Sequence, residues 1–555
     1  MPKILRSIIA SLENAPLTMG LWIGTFLSLI AGRLLVEFWL GGFASRTGLF
    51  FFYEFTHTFL FFLASFFLLT WIVALIIRLD ILKVARVLTA GFLLILTPPL
   101  VDYLISGGKG YWSFYKFDGL IGLVHRFLTF FGDRPDIGIT YGVRFEVALA
   151  MLALAIYGFV KIRERFSIWL STAYAAIMAL STYVVFFVLG TFPSWVSLVL
   201  HSHEKGLLQV SDVDVAQDFL SPAVIFTREI VDTRSALNIK MSLLYALLAS
   251  GLAVLALFFQ QRQKLLAFGR NVRLPQVIYH VGLVSVGACL GILTSHSVID
   301  LNIWNISAGL LIFEAVTCAW LASVVVNDLY DQNIDRLTNS DRPLTANIFD
   351  RPTYIFLGFI LFAASIFLGA LVNPKVALLL VAYQALAFIY SAPPIRLKRL
   401  TFVSTLVSGI ASLLVVFIGF ILASPHQDIQ GFPFRIALLL IISYTLSLPI
   451  KDFKDIAGDK ADQVWTIPVV FGEVWGKLVV GSGVFLSFLL SVILLNEPRL
   501  FWWALLFGSA AFWAINHMQP TDTRTAIHYR NIFWWMLGIV TLYGMVLVNT
   551  LFFQA

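Results

Sequence analysis

Six aspartates in two short stretches are the residues whose type and spacing can do chemistry. NDLYDQNIDR (327–336) carries Asp328, Asp331 and Asp335, and KDFKDIAGD (451–459) carries Asp452, Asp455 and Asp459. Both read D-x-x-D-x-x-x-D, and on a helix those positions share one face. Three carboxylates on one face raise one another's pKa, an arrangement that suits a bound cation. Magnesium prefers oxygen ligands, keeps several waters, and is typically held by one or two carboxylates plus substrate phosphates. Two such faces opposed across a helical bundle can hold a diphosphate through bridging metal ions. Asn327 adds a neutral oxygen ligand or a hydrogen bond to one. Gly458 is expected to end the second helix and let Asp459 turn inward. Interfacial capping is the competing reading for either cluster alone. Two clusters of equal spacing on one side of the membrane favour metal–diphosphate chemistry. Proton-coupled transport would place carboxylates nearer mid-membrane.

The elements that must position these acids are membrane helices. The chain has 555 residues, 59% hydrophobic and 12% charged, with 51 Phe and 15 Trp. Its mean hydropathy is +0.88. That composition predicts an all-α polytopic membrane protein. Apolar runs long enough to span fall at 17–43, 51–78, 84–106, 140–161, 166–192 and 238–260. A second set falls at 275–296, 303–326, 352–373, 375–391, 401–424, 433–450, 473–495, 499–517 and 531–553. The expected count is about six spans, then about nine. The 166–200 stretch is the least regular, since Pro193 and Trp195 can bend the chain along the interface.

The polar, basic stretch QQRQKLLAFGRNVRLP (260–275) separates an N-terminal domain, 1–260, from a C-terminal one, 275–555, with 261–274 as linker. The formal charge is +7. It lies in short clusters between apolar runs, which points to topology and not to nucleic acid. With the N-terminus inside, the loops 77–86, 161–165, 260–264, 336–342, 396–399, 451–460 and 523–530 are all cytoplasmic and basic. The C-terminus is then outside, and both aspartate clusters face the cytoplasm. They close the second and sixth spans of the C-terminal half, consistent with an internal duplication by four helices. The N-terminal 1–16 reads as a cytoplasmic amphipathic lead-in and not a signal peptide. Cys289 and Cys318 both lie in apolar runs, so neither a disulfide framework nor a cysteine zinc site is expected.

At this level of detail the C-terminal half resembles the UbiA superfamily of intramembrane prenyltransferases. NDLYDQNIDR is similar to that family's N-D-x-x-D-x-x-x-D motif and KDFKDIAGDKAD to its second aspartate motif. YSAPPIRLKR (390–399) resembles the loop signature between them, and NSDRPLTA (339–346) the N-x-x-R-P-L segment. The resemblance implies a nine-helix bundle, preceded here by about six extra transmembrane helices. It implies magnesium-dependent transfer of a prenyl group from a polyprenyl diphosphate to a lipophilic acceptor, such as a lipid or quinol precursor. Carried over by position, Asn327, Asp328 and Asp331 bind one magnesium ion, and Asp452 and Asp455, with Asp459 close by, bind another. Asp335 ligates metal or holds a basic partner. Arg342, Arg396, Lys398, Lys451 and Lys454 are candidates for the diphosphate. Metal ions and cationic side chains stabilise the departing diphosphate, and aromatic faces such as Tyr330, Tyr390 and Phe453 can stabilise an allylic cation. The setting implied is a prokaryotic cytoplasmic membrane. Phosphoribosyl transfer to a polyprenyl phosphate, and a non-catalytic lipid-handling or transport protein, are the alternatives.

Other polar residues carry less. Glu314 lies thirteen residues before Asn327, roughly 20 Å along a helix and too far to join a metal site. Glu37 and Glu54 are similar cases in the N-terminal half. His57, His125, His201 and His203 show no convincing ligand spacing and read as solvated or capping. The stretches 118–133 and 215–232 read as interfacial or re-entrant segments. The N-terminal half is expected to be an accessory module that binds a lipid or docks a partner.

Overall fold

The structure, a computed structural model, describes residues 3–41, 48–111, 113, 115–132, 138–520, 527–529 and 531–553. The basic loop 523–530 lies outside the described residues at 523–526 and 530. The architecture is all-α apart from two minimal two-stranded pieces. Among the described residues, fourteen helices are long and apolar enough to cross a membrane. The fifteenth expected span, 499–517, forms helix Phe501–Asn516, which at 16 residues is shorter than predicted. The chain divides into two compact units, 1–223 with 229–260, and 224–228 with 261–555.

Within the N-terminal unit, helix Ile168–Gly190 is followed by a second helix, Phe192–Lys205, entered through Pro193. His201 therefore sits half-buried on a helix rather than solvated, with Nε2 3.0 Å from Asp218. His57 is half-buried rather than solvated, its Nε2 2.7 Å from the Tyr115 hydroxyl.

Among its described residues the C-terminal unit holds nine long helices from Leu274–Ser295 to Ile532–Val548. Their starts are written locally. Asn302 accepts a hydrogen bond from Asn305 N at 3.0 Å, and Asp350 from Thr353 N at 3.1 Å. Asn373 accepts from Lys375 N at 2.9 Å, just ahead of Pro374 at the helix start. Each side-chain oxygen satisfies an N–H that has no partner in the first helical turn. Helices Leu274–Ser295 and Thr401–Ala423 approach until backbone meets backbone. A Cβ on Gly287 would stand 1.9 Å from Val416 O, and one on Gly419 1.9 Å from Val284 O. Lipid tails give apolar helices little reason to associate, so such small-residue contacts supply the close packing that holds a bundle together.

The segment 261–274 is not a featureless linker. It forms helix Arg262–Asn271 and packs within the C-terminal unit. Phe268 joins a buried cluster with Leu321, Val325, Leu344, Phe349 and Tyr354.

Candidate active site

Neither aspartate motif runs as the single straight helix expected of it. Helix Ile303–Tyr330 stops before Asp331, which sits at φ −105°, ψ 16°, and the short helix Gln332–Thr338 follows. In the second motif a 3-10 segment, Leu448–Asp455, passes into helix Ile456–Ala461, with Asp455 at φ −109°, ψ 8°. The middle aspartate of each motif thus adopts the same bridge conformation, a sparsely populated region frequent at active sites. Pro449 accounts for the tighter turn, since it removes an N–H and obstructs a continuing α-helix. Gly458 is buried inside the short helix and does not end it.

The first motif is saturated with donors. Asp328 is 1% exposed. Its Oδ2 accepts from Asn271 Nδ2 at 2.7 Å and from the Tyr354 hydroxyl at 2.8 Å. Its Oδ1 accepts from Arg342 Nη1 at 3.0 Å, and that same Nη1 donates to Asp335 Oδ2 at 2.5 Å. Arg342 therefore ties the first and third acids together. Asp331 accepts from Lys398 Nζ, from Arg396 Nη2 at 3.2 Å and from Asn327 Nδ2 at 2.7 Å. Arg396 Nη2 also reaches Asp462 Oδ2 at 2.6 Å and Tyr330 O at 3.2 Å. Burial pushes the Asp335 carboxyl up to about 7, against the pull of Arg342. Burial likewise lowers the Lys398 ammonium despite Asp331 beside it.

The second motif is open by comparison. Asp452 is half-buried and makes no hydrogen bond or ion pair among the described residues. Asp455 has Lys454 Nζ at 3.7 Å. Asp459 is buried, with the Thr466 hydroxyl at 3.4 Å. Lys451 and Lys454 are exposed. Lys451 Nζ lies 3.4 Å from the Tyr390 hydroxyl and 5.4 Å from the centre of its ring. Phe453 is 2% exposed and packs into the core instead of facing the charged residues.

Arg396 links Asp331 to Asp462, and Asn339 links the triads themselves. Asn339 Nδ2 stands 3.4 Å from Asp335 Oδ1 and 3.3 Å from Asp455 Oδ1. The six aspartates and the basic residues Arg342, Arg396, Lys398, Lys451 and Lys454 thus gather at one end of the bundle. Among the described residues, no three acid, imidazole or thiol groups converge closely enough to share a metal ion. Guanidinium and ammonium groups occupy the oxygens of Asp328 and Asp331. The all-oxygen donor set, with Asp452 unpartnered, still fits a hard divalent cation.

Beside the acids, Arg273 at φ 56° and Arg396 at φ 44° hold a left-handed backbone that non-glycine residues rarely adopt. Such strain persists where the surroundings over-determine it, commonly at functional sites. Each keeps a buried N–H group with no hydrogen-bond partner, Arg273 Nη2 and Arg396 Nε. Arg273 Nη2 is 3.5 Å from Asp328 Oδ1 but is not aimed at it as a hydrogen bond. Arg273, Asn271 and Tyr354 meet the acids without any sequence motif to mark them, and Asn339 and Asp462 lie in the quoted NSDRPLTA and KDFKDIAGDKAD segments without a role assigned there. The usable signal for Asn271 and Arg273 was their position just before Pro275, on the predicted side of both motifs. Tyr354 carried no signal beyond lying in the first turn of its helix.

Residues 283–537 match the family model described as "UbiA prenyltransferase family". Over 171 residues the chain is 34% identical to 2-acyl-4-prenylphloroglucinol 6-prenyltransferase of Humulus lupulus, covering 29% of this chain and 41% of that protein. Over 149 residues it is 31% identical to digeranylgeranylglyceryl phosphate synthase of Methanosphaera stadtmanae, covering 26% and 52%. The chain spans about half the length of these curated relatives. Among solved structures, a UbiA homologue from Archaeoglobus fulgidus bound to DMAPP and Mg2+ aligns with 51% of this chain and 99% of its own. Its TM-score is 0.39 and its sequence identity 17%.

Proposed function

Because residues 283–537 are a domain of the UbiA prenyltransferase family, we propose that the protein transfers a prenyl group from a polyprenyl diphosphate to a lipophilic acceptor within the membrane. The observation that carries this reading is the Asn339 bridge between Asp335 and Asp455, which makes one charged site of two distant motifs. Asn327, Asp328 and Asp331 would hold one magnesium ion, and Asp452, Asp455 and Asp459 a second. Bound there, the ions neutralise charge on the diphosphate as it leaves. Arg342, Arg396 and Lys398 are held beside the acids, and Lys451 and Lys454 stand exposed at the same end. Together they supply donors for the phosphate oxygens, which charge-assisted hydrogen bonds recognise well. The unpaired N–H groups of Arg273 and Arg396 suit the same role. Asp335 acts by fixing Arg342, and Tyr390 by seating Lys451. The charged end opens on the cytoplasmic side, where the basic loops cluster.

The test is direct. Purified full-length protein, magnesium, labelled farnesyl or geranylgeranyl diphosphate and a membrane lipid extract should yield a labelled prenylated lipid, whose mass identifies the acceptor. Chelation of the metal, Asp328→Asn and Asp452→Asn should each abolish the product. Unchanged turnover in either variant overturns the site assignment.

A further inference from the structure

Residues 224–228 pack as part of the C-terminal unit, although they precede the rest of it in the chain and lie outside the family-matched stretch 283–537. They form the tip of a hairpin. Strands Ala223–Ile225 and Arg228–Ile230 pair, with only Phe226 and Thr227 between them. Two-residue hairpin loops favour Gly, Asn or Asp, because they call for positive φ. Here Phe226 takes that conformation, at φ 56°. A bulky residue persists there only where its surroundings over-determine it.

The surroundings are the ends of three helices, Ile303–Tyr330, Arg351–Val372 and Thr401–Ala423. Each has its other end at the charged site, through Asp328, through Tyr354 and through Lys398 just ahead of Thr401. Asn305, in the first turn of Ile303–Tyr330, is buried. Its Nδ2 donates to Asp300 O at 2.9 Å, and its Oδ1 accepts from Phe226 N at 2.6 Å. Gly309, one turn on, presents bare backbone to the Phe226 ring, where a Cβ would stand 3.9 Å from it.

The other two helices finish here, and the last carbonyls of a helix have no intrahelical donor. Thr227 Oγ1 stands 3.1 Å from Leu422 O and 2.8 Å from Ser424 O. Ser297 Oγ serves the carbonyl between them, Ala423 O, at 2.7 Å. Arg228 Nη1 stands 3.5 Å from Val372 O, which sets a positive charge at a helix C-terminus, where the dipole favours it. Three successive residues thus meet three different helices, Phe226 by its N–H, Thr227 by its hydroxyl and Arg228 by its guanidinium. A turn that only joined two strands would need none of these contacts.

We infer that Phe226, Thr227 and Arg228 form a strap that pins three helix ends of the C-terminal unit, so that a segment from outside the family-matched stretch completes its fold. The inference rests on packing and is independent of the transfer reaction. Phe226→Gly in the full-length protein separates a strap from an ordinary turn. Glycine suits the left-handed position, so a turn with no further role would gain stability from it. A strap loses its ring instead. The thermal midpoint should fall, and backbone hydrogen exchange across 303–309 should rise about tenfold, as expected for losing a half-buried phenylalanine. Thr227→Val should raise exchange across 420–427 about fivefold, the loss of one hydrogen bond. Val224→Thr, at an exposed position of the same tip, should change neither. A Phe226→Gly midpoint at or above the wild type, unaltered exchange in Thr227→Val, or an equal loss in Val224→Thr overturns the inference. Thr227→Val only exchanges a hydroxyl for a methyl, so it keeps the test decisive if Phe226→Gly fails to fold.

Discussion

The two aspartate motifs have the same spacing and the same bend at the middle acid, yet opposite states of satisfaction. Asp328 and Asp331 spend their oxygens on Arg342, Arg396, Lys398, Asn271, Asn327 and Tyr354. Asp452 has no such partner, and its neighbours Lys451 and Lys454 are exposed. A buried carboxylate without compensation is costly, so the first motif is built as a neutralised, rigid wall. An open carboxylate contributes little to folding and is available to a ligand. The first motif is thus part of the fold as well as the site, and the second belongs mainly to the site.

Breaking that contrast gives a graded set of outcomes. Asp452→Asn should cost the most activity, about a thousandfold in kcat/KM if it removes one electrostatic contact of the transition state. Its thermal midpoint should match the wild type, because no described residue forms a hydrogen bond or ion pair with Asp452. Arg342→Met should do the reverse first, destabilising the protein by about 3–5 kcal/mol, since two buried carboxylates lose their shared cation. Denaturation in detergent reads that loss before any assay. Lys451→Gln should raise KM for the diphosphate about tenfold with little change in kcat or stability. Asn271→Ala should be the mildest, about 1 kcal/mol of stability from one hydrogen bond to a carboxylate that keeps its other partners. An Asp452→Asn protein as unstable as Arg342→Met would erase the distinction between the two motifs.

Much of the fold was legible because membrane helices announce themselves by length and apolarity. Fourteen of the expected spans recur as helices of sufficient length, and the six acids recur at one end of the bundle. The exceptions have local causes. The 499–517 span shortens to Phe501–Asn516, and the 84–106 span breaks where Pro98 and Pro99 remove donors. Periodicity also misjudged the motifs themselves. Spacing of i, i+3 and i+7 assumes an unbroken helix, and each motif instead bends at its middle aspartate.

The sequence by itself determined a polytopic all-α chain, the location of both aspartate motifs on one predicted face, and the basic residues that accompany them. These follow from composition and local spacing, which need no knowledge of distant contacts. Only the tertiary structure decided which carboxylates are neutralised and which stand open. It alone brought Asn339 between Asp335 and Asp455, and it turned the linker's Asn271 and Arg273 toward Asp328. Those pairings join residues as far apart as 116 positions. No local pattern encodes them, because they depend on how helices pack and not on what each helix is.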